Sequence, residues 1–287
     1  MSPHNLERVI RPLILLSCLA SPPALAGQSS TPPSAESPPI EDNSFLIEEA
    51  YNQGQGIVQH VSTFERPVNG SGWVYAFAQE WPLGGRTHQL SYSIPFARTG
   101  DPEDGATGIG DVEINYRYQV GGLDRKGLAL APSFTVALPT GASSRALGAG
   151  GLGFAFNLPF SAELPGPFVA HSNAGGSYTP RARDTFGNTA AINSYGLGQS
   201  IIWLAHSRFH PMLESTWTVS REVAGPGQTR RTTELLISPG FRGAFDFSSG
   251  LQVVPGIAFP FGVGASRGER AVFVYLSFEH PFSKRAP

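Results

Sequence analysis

The chain has 287 residues, of which 40% are apolar and 15% are charged, and its formal net charge is −2. This small net charge excludes the basic footprint of a nucleic-acid-binding protein, so no nucleic acid is expected as a partner. The 34 glycines and 25 prolines are spread along the chain, which disfavours long helices and favours an all-β fold with many turns.

Residues 1–26 have the pattern of a cleavable secretory signal peptide. Arg8 and Arg11 precede an apolar run over residues 13–20, and Ala24-Leu25-Ala26 supplies the small residues that signal peptidase requires. Cleavage after Ala26 would remove Cys18, the only cysteine, so the mature chain is expected to have no disulfide and no cysteine-based metal site.

A lipoprotein signal is the alternative interpretation of the same stretch. Leu15-Leu16-Ser17 comes directly before Cys18, and a lipidated Cys18 would anchor the chain to a membrane. The apolar run before Cys18 is short and follows Pro12 directly, which favours the cleavable signal.

The residues that follow the signal divide into two parts. Residues 27–42 are rich in Pro and Ser and are predicted to be a disordered leader. Residues 43–56 form an N-terminal segment that is either a short strand or a plug folded into a barrel lumen, where Glu48 and Glu49 would meet cations. No later stretch approaches the roughly 18 consecutive apolar residues of a membrane-spanning helix, so a membrane role would fall to strands.

From residue 57 to residue 282, apolar and polar residues alternate with period two, which is typical of β-strands. In residues 86–97 one face carries His88, Leu90, Tyr92, Ile94 and Phe96. Residues 111–118 repeat this pattern: an apolar face with Ile114, Tyr116 and Tyr118 is expected to meet lipid, and the opposite face is polar.

About twelve such strands, within a range of about 10–14, are predicted over residues 57–282, and each is long enough for a tilted bilayer crossing of roughly 9–11 residues. Within the hydrocarbon of a bilayer every backbone N–H and C=O group of a strand must be hydrogen bonded, and only a sheet that closes on itself leaves no unpaired edge. The pattern therefore predicts a transmembrane antiparallel β-barrel. A soluble β-sandwich is the main competitor, but its turns come every 8–12 residues, whereas here strand and connection together take about 19.

The predicted connections alternate in length, as they do between the periplasmic and outer ends of an outer-membrane barrel. Short turns are expected at 83–85, 162–166, 205–210 and 246–250. Longer outer loops are expected at 98–107, 139–150, 179–190, 222–231 and 262–270.

The last strand resembles the C-terminal strand that the barrel-assembly machinery recognises in Gram-negative bacteria. Apolar and aromatic residues recur at alternate positions up to Phe282, and residues 283–287 then form a short tail. The expected location is therefore the outer membrane of a Gram-negative bacterium, with outer-membrane lipids and lipopolysaccharide as surroundings.

Polar and ionisable side chains on the inner face of the predicted strands are candidates to line the lumen and to bias what passes through it. The alternative is a ladder of internal salt bridges that closes a narrow barrel. The candidates are Asp111, Glu113, Asn115, Arg117, His171, Asn173, Glu214, Glu234 and Arg242.

The stretch H-S-N-A-G at 171–175 raises the hypothesis of a hydrolase. It resembles barrel lipid-A deacylases and outer-membrane phospholipases, in which His and Ser lie two residues apart on one face. Here His171 and Ser172 are adjacent, so strand geometry sends them to opposite faces and out of hydrogen-bond reach. No nucleotide-binding or metal-binding motif occurs, and neither a cofactor nor a catalytic residue is predicted.

Arginines in the predicted outer loops are candidates to pair with lipopolysaccharide phosphates, although a solvated loop surface would also account for them. They are Arg145, Arg181, Arg183, Arg230, Arg231, Arg267 and Arg270.

Several short motifs are spread over the chain. They are N-S-F-L-I-E-E-A-Y-N-Q (43–53), V-Q-H (58–60), F-A-Q-E-W-P (77–82), G-D-V (110–112), Y-R-Y-Q (116–119), H-S-N-A-G (171–175) and Y-T-P (178–180). Together they resemble a family of outer-membrane transporters linked by name to the meta pathway of phenol degradation. The resemblance implies an export signal, a β-barrel and uptake of small solutes, aromatic or hydrophobic compounds among them. A lipid-modifying hydrolase and a non-conducting structural barrel are the alternatives.

Overall fold

The computed structural model describes residues 44–100, 103–121 and 127–281. The predicted signal peptide (1–26), the leader (27–42), Phe282 and the tail (283–287) lie outside these residues. The described residues contain no helix that is long and apolar enough to cross a membrane.

Strands make up most of the first half of the described chain, because β-branched, aromatic and small residues alternate there in the period that suits a pleated sheet. They are β1 (Ile57–Pro67), β2 (Trp73–Pro82), β3 (His88–Thr99), β4 (Ala106–Ile109), β5 (Val112–Tyr118), β6 (Leu128–Leu130), β7 (Ser133–Leu138) and β8 (Gly153–Leu164).

The second half contains the longest strands. Two short 3-10 turns occur, one between β7 and β8 at Ser143–Arg145 and the other between β15 and β16 at Gly264–Ser266. The strands are β9 (Phe168–Arg183), β10 (Thr189–Trp203), β11 (Phe209–Gly225), β12 (Gln228–Gly243), β13 (Phe245–Asp246), β14 (Gln252–Ala258), β15 (Phe261–Gly262) and β16 (Ala271–Pro281).

The strands form one antiparallel sheet that closes on itself, so the chain is an all-β barrel and not a sandwich. β1 pairs with both β2 and β16, and β14 pairs with both β16 and β12. The short strands β4, β6, β13 and β15 continue or flank longer ones where the ladder is interrupted. Counted around the wall there are twelve strands, as predicted, in the order β1-β2-β3-β5-β7-β8-β9-β10-β11-β12-β14-β16.

Exposure alternates along each wall strand, which separates an outer from an inner face. On β5, Ile114, Tyr116 and Tyr118 are 44%, 41% and 42% exposed, whereas Arg117 between them is 2% exposed. The outer face is therefore largely apolar and aromatic. The inner face carries mostly polar and small side chains, apart from a buried apolar cluster on the side of β10 to β16.

Both ends of the described chain lie at the same end of the barrel, because the number of wall strands is even. This end is called the terminal end below, and the other is the distal end. The terminal end carries the turns β2–β3, β8–β9, β10–β11 and β13–β14, and the distal end carries the longest described connection, residues 139–152.

Two of the predicted long loops are wrong. Residues 179–183 and 189–190 belong to β9 and β10, and residues 222–225 and 228–231 belong to β11 and β12. The prediction failed because the strand ends that project beyond the apolar band are rich in charged and small residues, as loops are.

The β9–β10 turn is short because Asp184 organises it. The Asp184 carboxylate accepts hydrogen bonds from the backbone N–H groups of Phe186 (2.9 Å) and Asn188 (2.8 Å) and from the Asn188 side chain (2.7 Å). These bonds, above all the one from the Asn188 side chain, hold the pKa of the Asp184 carboxyl below its usual value.

Gly175 lies on β9, at a point where the backbone of β8 approaches it closely. A Cβ at this position would collide with the backbone of Phe156 and Asn157 on β8. Only glycine therefore fits at this point of the wall.

We expect Gly175→Ala to destabilise the folded barrel by about 1–3 kcal/mol, because the collision is with backbone that side-chain movement cannot relieve. Urea unfolding of the protein refolded in detergent micelles measures the effect. Gly243→Ala is the matched control, since a Cβ there would lie an ordinary 3.5 Å from its nearest neighbour, the Arg208 carbonyl oxygen. Equal unfolding midpoints for the two variants would show that the β8 backbone does not lie this close to Gly175.

Candidate functional site: a segment across the barrel interior

Residues 44–53, called the strap below, run through the inside of the barrel. The strap has neither helix nor strand, and Leu46, Ile47, Ala50 and Asn52 in it are at most 1% exposed. Its hydrogen-bond partners start on β10 and β11 and end on β3 and β1, which lie on opposite sides of the wall. The strap therefore crosses the interior, on the side of the terminal end.

A single carboxylate oxygen holds the first part of the strap. The Oε1 atom of Glu214, on the inner face of β11, accepts hydrogen bonds from the backbone N–H groups of Phe45 (3.1 Å), Leu46 (2.9 Å) and Ile47 (3.2 Å). Consecutive N–H groups that converge in this way form a concave anion-binding nest. A fully buried carboxylate requires such donors, and the three N–H groups require an acceptor, so each stabilises the other.

Apolar contacts fix the same part of the strap. The Phe45 ring lies 5.9 Å from the Phe273 ring and 5.3 Å from the Tyr275 ring, both on β16. Phe45 also lies against Gly256, where any Cβ would collide with its ring, and against Gly240, where a Cβ would be in tight contact with the ring at 3.0 Å. Leu46 belongs to the same buried cluster, which also contains Ile202, Met212, Ala244, Val254 and Ala258.

The middle of the strap is bound by side chains that imitate a neighbouring strand. Asn173 on β9 accepts from the Glu48 N–H (2.9 Å) and donates from Nδ2 to the Glu48 carbonyl oxygen (2.6 Å). Ser161 on β8 accepts from the Ala50 N–H at 2.7 Å. These amide and hydroxyl groups replace the backbone partners that a sheet would have provided.

Arg117 on β5 holds the last part of the strap with its whole guanidinium group. Its Nε donates to Asn52 Oδ1 (2.8 Å), and its two terminal nitrogens donate to the carbonyl oxygens of Glu49 (3.2 Å) and Tyr51 (3.1 Å). The carboxylates of Glu48 and Glu80 lie 3.8 Å from the same group. A guanidinium is suited to this position because its donors are arranged in a rigid fork.

Three glutamines complete the attachment. The Gln119 side-chain oxygen accepts from the Asn52 N–H at 2.7 Å, and that of Gln89 accepts from the Gln53 N–H at 2.8 Å. The Gln53 side chain in turn donates to Gln59 on β1 at 2.5 Å. The strap thus reaches β1, the strand into which the chain continues.

The predicted lumen-lining residues occupy different places relative to the strap. Arg117, Asn173 and Glu214 bind it directly, and His171 lies beside it, with its ring 6.5 Å from that of Tyr51. The other five candidates occupy different positions on the inner side of the wall. Glu113 and Asn115 line a cavity, Asp111 lies at the distal end, Glu234 is opposite Thr218, and Arg242 is opposite His210 on the inner face.

The sequence did not identify Ser161, Gln89, Gln119 or Gln59 as functional. Each is an uncharged polar residue on an inner face, at a position that the period-two pattern could have assigned to the interior. A strand in a barrel commonly places polar residues there, so nothing in the sequence separated these four from the others.

The structure does not bring His171 and Ser172 together as the hydrolase hypothesis requires, because the two side chains lie on opposite faces of β9. His171 faces inward, where its Nδ1 lies 2.7 Å from Ser161 Oγ. Ser172 faces outward and donates to the Gln199 side-chain oxygen at 2.7 Å. Ser161 is itself fully buried and accepts the Ala50 N–H, so the Ser161–His171 pair is part of the strap attachment.

A polar cavity of about 180 Å³ lies between the strap and the wall formed by β2, β3, β5 and β7. Three of its side chains are carboxylates and one is a guanidinium, so the space is predominantly acidic. Within the described residues, no three His, Asp or Glu side chains are grouped to hold a metal ion. The lining residues are Glu48, Ala78, Glu80, Ser91, Tyr92, Ser93, Glu113, Asn115, Arg117 and Thr135.

The connection 139–152 forms a second inward projection, at the distal end. Thr99 donates a hydrogen bond to the Arg145 carbonyl oxygen (2.8 Å), and Leu147 lies against Gly108 on the inner wall. Asp111 accepts from the N–H groups of Gly141 (2.9 Å) and Ala149 (2.6 Å). The role of Asp111 in the structure is therefore to hold this connection.

No protein-family model matches the chain, and no curated protein matches it. Among solved structures, the chain is similar to an outer membrane channel from Pseudomonas putida F1, with a TM-score of 0.63, 12% identity, and coverage of 80% of this chain and 97% of that one. The NanC porin (TM-score 0.47, 11% identity, 77% and 98% coverage) and the KdgM porin (0.47, 9%, 77% and 98%) are more distant. The first likeness shows the barrel fold, and membership of the family suggested by the motifs stays a prediction.

We expect Glu214→Ala to release the first part of the strap, because three buried N–H groups lose their acceptor and each unsatisfied donor costs about 1–3 kcal/mol. Amide hydrogen exchange over residues 44–53, measured by mass spectrometry on the folded protein, should then accelerate by about tenfold or more. Glu214→Gln keeps one oxygen as an acceptor and should show a smaller change.

The matched control is Glu234→Ala, which removes a carboxylate from the inner face of β12 opposite Thr218. In Glu234→Ala, the rate of amide hydrogen exchange over the strap should equal that of the unmodified protein. Unchanged exchange in Glu214→Ala would mean that the carboxylate does not hold the strap.

Proposed function

We propose that the protein is an outer-membrane channel for small solutes, with a passage that is narrowed by the strap and by the connection 139–152. The observation that carries this proposal is a closed barrel with an apolar outer face and a polar interior that contains a cavity. The likeness of the fold to that of an outer membrane channel supports it.

The outer face supports a membrane location. Large apolar and aromatic side chains are exposed on nearly every strand, for example Phe134 (48%), Phe156 (49%), Leu213 (52%) and Phe241 (44%). Such a continuous apolar surface is unfavourable in water and favourable in lipid. In an outer membrane, the terminal end would face the periplasm, because barrels with an even number of strands return both chain ends to that side.

The interior supports passage of small polar or charged solutes. Three carboxylates, of Glu48, Glu80 and Glu113, line the cavity with the single guanidinium of Arg117. Rings of carboxylates favour cations, so cations should pass more readily than anions. The aromatic or hydrophobic solutes implied by the family resemblance remain a second substrate class, and a structural barrel that does not conduct is the alternative function.

Replacing residues 44–53 with a Gly/Ser sequence of equal length should raise the single-channel conductance severalfold, because the strap occupies the interior. Planar bilayers with the purified, folded protein provide the measurement. The control is the same replacement over residues 30–39, which should leave conductance unchanged. Equal conductance in the strap variant and the unmodified protein would place the strap outside the path, and absence of conductance in all three would contradict the channel.

Ile114→Arg should impair folding into lipid bilayers, because an arginine on the lipid face costs about 2–4 kcal/mol near the midplane. The folded fraction is measured by heat-modifiable gel mobility after refolding in vesicles. Asn115→Arg is the matched control, since the same charge then faces the polar cavity, and it should fold nearly as well as the unmodified protein. Equal folding of the two variants would contradict the assignment of the outer face to lipid.

A further inference from the structure

Two arginines lie side by side on the outer face near the distal end of the barrel. Arg221 on β11 and Arg231 on β12 are direct partners in the strand register, and both are exposed. Glu214 and Ser238, which are also partners, are buried in the interior. Arg221 and Arg231 each lie an odd number of residues from these positions, so strand alternation directs both arginines outward.

The pair has no acidic partner among the residues that the structure describes. Like charges that face each other across two strands repel, so the arrangement is unfavourable without an anion between them. The neighbouring pair on the other face differs, because Arg230 there is bound to Glu222 at 3.3 Å. The outward pair is thus an uncompensated positive site on a largely apolar surface.

The depth of the pair matches the boundary of a bilayer. The outward positions of β11 below Arg221 run from Phe209 to Val219 and are mostly apolar. Ten residues of strand extend about 33 Å, and at the usual tilt they span about 25 Å, the height of the apolar band of outer-membrane barrels. The Tyr195–Trp217 ring pair lies near the top of this band, where such residues meet the headgroups.

We propose that Arg221 and Arg231 bind a phosphate group of the phosphorylated glycolipid in the outer leaflet, the lipid A part of lipopolysaccharide. Two guanidinium forks can donate parallel hydrogen bonds to one phosphate, which also removes their mutual repulsion. Asn193 and Tyr178 are paired on β10 and β9 and continue the same outward row, so they extend the polar site along the wall. The assignment rests on the membrane orientation proposed above.

The site is tested by lipid binding to the full folded chain in phosphatidylcholine nanodiscs. Three probes are compared: diphosphoryl lipid A, lipid A from which both phosphates have been removed, and inorganic phosphate. The variant is Arg221→Gln/Arg231→Gln. The control is Arg208→Gln/Arg230→Gln, which removes the same charge from the terminal end and from the inner face. Heat-modifiable mobility verifies that all proteins are folded.

The affinity for diphosphoryl lipid A should fall by about 10- to 30-fold in the Arg221/Arg231 variant, since each surface arginine contributes about 1 kcal/mol to anionic lipid binding. The control should bind like the unmodified protein, and lipid A without phosphates should bind equally weakly to all three. An Arg221→Lys/Arg231→Lys variant should retain part of the affinity.

Three results would overturn the proposal. They are an unchanged affinity in the Arg221/Arg231 variant, an equal loss in the control, and complete displacement of lipid A by millimolar inorganic phosphate, which would make this a site for free phosphate. The lipid-binding assay does not depend on whether the barrel conducts. A barrel that binds lipid A but does not conduct would therefore contradict only the channel, and one that conducts without this binding would contradict only the lipid site.

Discussion

The structure depends on how the backbone N–H and C=O groups of the strap find hydrogen-bond partners inside a barrel. An extended segment that crosses a lumen has no neighbouring strand, so its N–H and C=O groups must find side chains or remain unpaired at a high free-energy cost. Glu214 accepts three successive N–H groups, Asn173 pairs with both the N–H and the carbonyl oxygen of Glu48, and Arg117 donates to two carbonyl oxygens. These three residues explain why the strap has a defined path.

This arrangement divides the barrel into regions with different chemistry. At the terminal end the strap and its apolar cluster fill the side formed by β10 to β16. On the opposite side, beyond the strap, a cavity with three carboxylates remains next to β2, β3, β5 and β7. The outer face is largely apolar, which suits lipid, so the outer surface and the attachment of the strap inside depend on alternate residues of the same strands.

The fold could largely be predicted from the sequence, because period-two alternation depends only on local chemistry. It indicated the all-β barrel, the twelve wall strands and the faces of β3 and β5. It failed at β9–β10 and β11–β12, where strands that continue beyond the apolar band were taken for loops. The candidate site was harder to predict. Alternation indicates that Glu214, Asn173 and Arg117 face inward, but it does not indicate which residues they contact across the barrel. That information comes only from barrel closure, which brings distant residues into contact, such as Phe45 and Glu214, 169 positions apart in sequence.

The central claim is that residues 44–53 lie across the interior of the folded barrel, and a cross-link tests it most directly. Ser44 Oγ lies 2.9 Å from Ser200 Oγ on β10, so in a Cys18→Ser background the Ser44→Cys/Ser200→Cys variant should form a disulfide nearly quantitatively on mild oxidation. Ser44→Cys/Ser177→Cys, whose second position hydrogen bonds with Ser194 farther along the wall, should not. Formation of the first disulfide alone is the predicted result; two freely reactive thiols in both folded variants would contradict a strap inside the barrel.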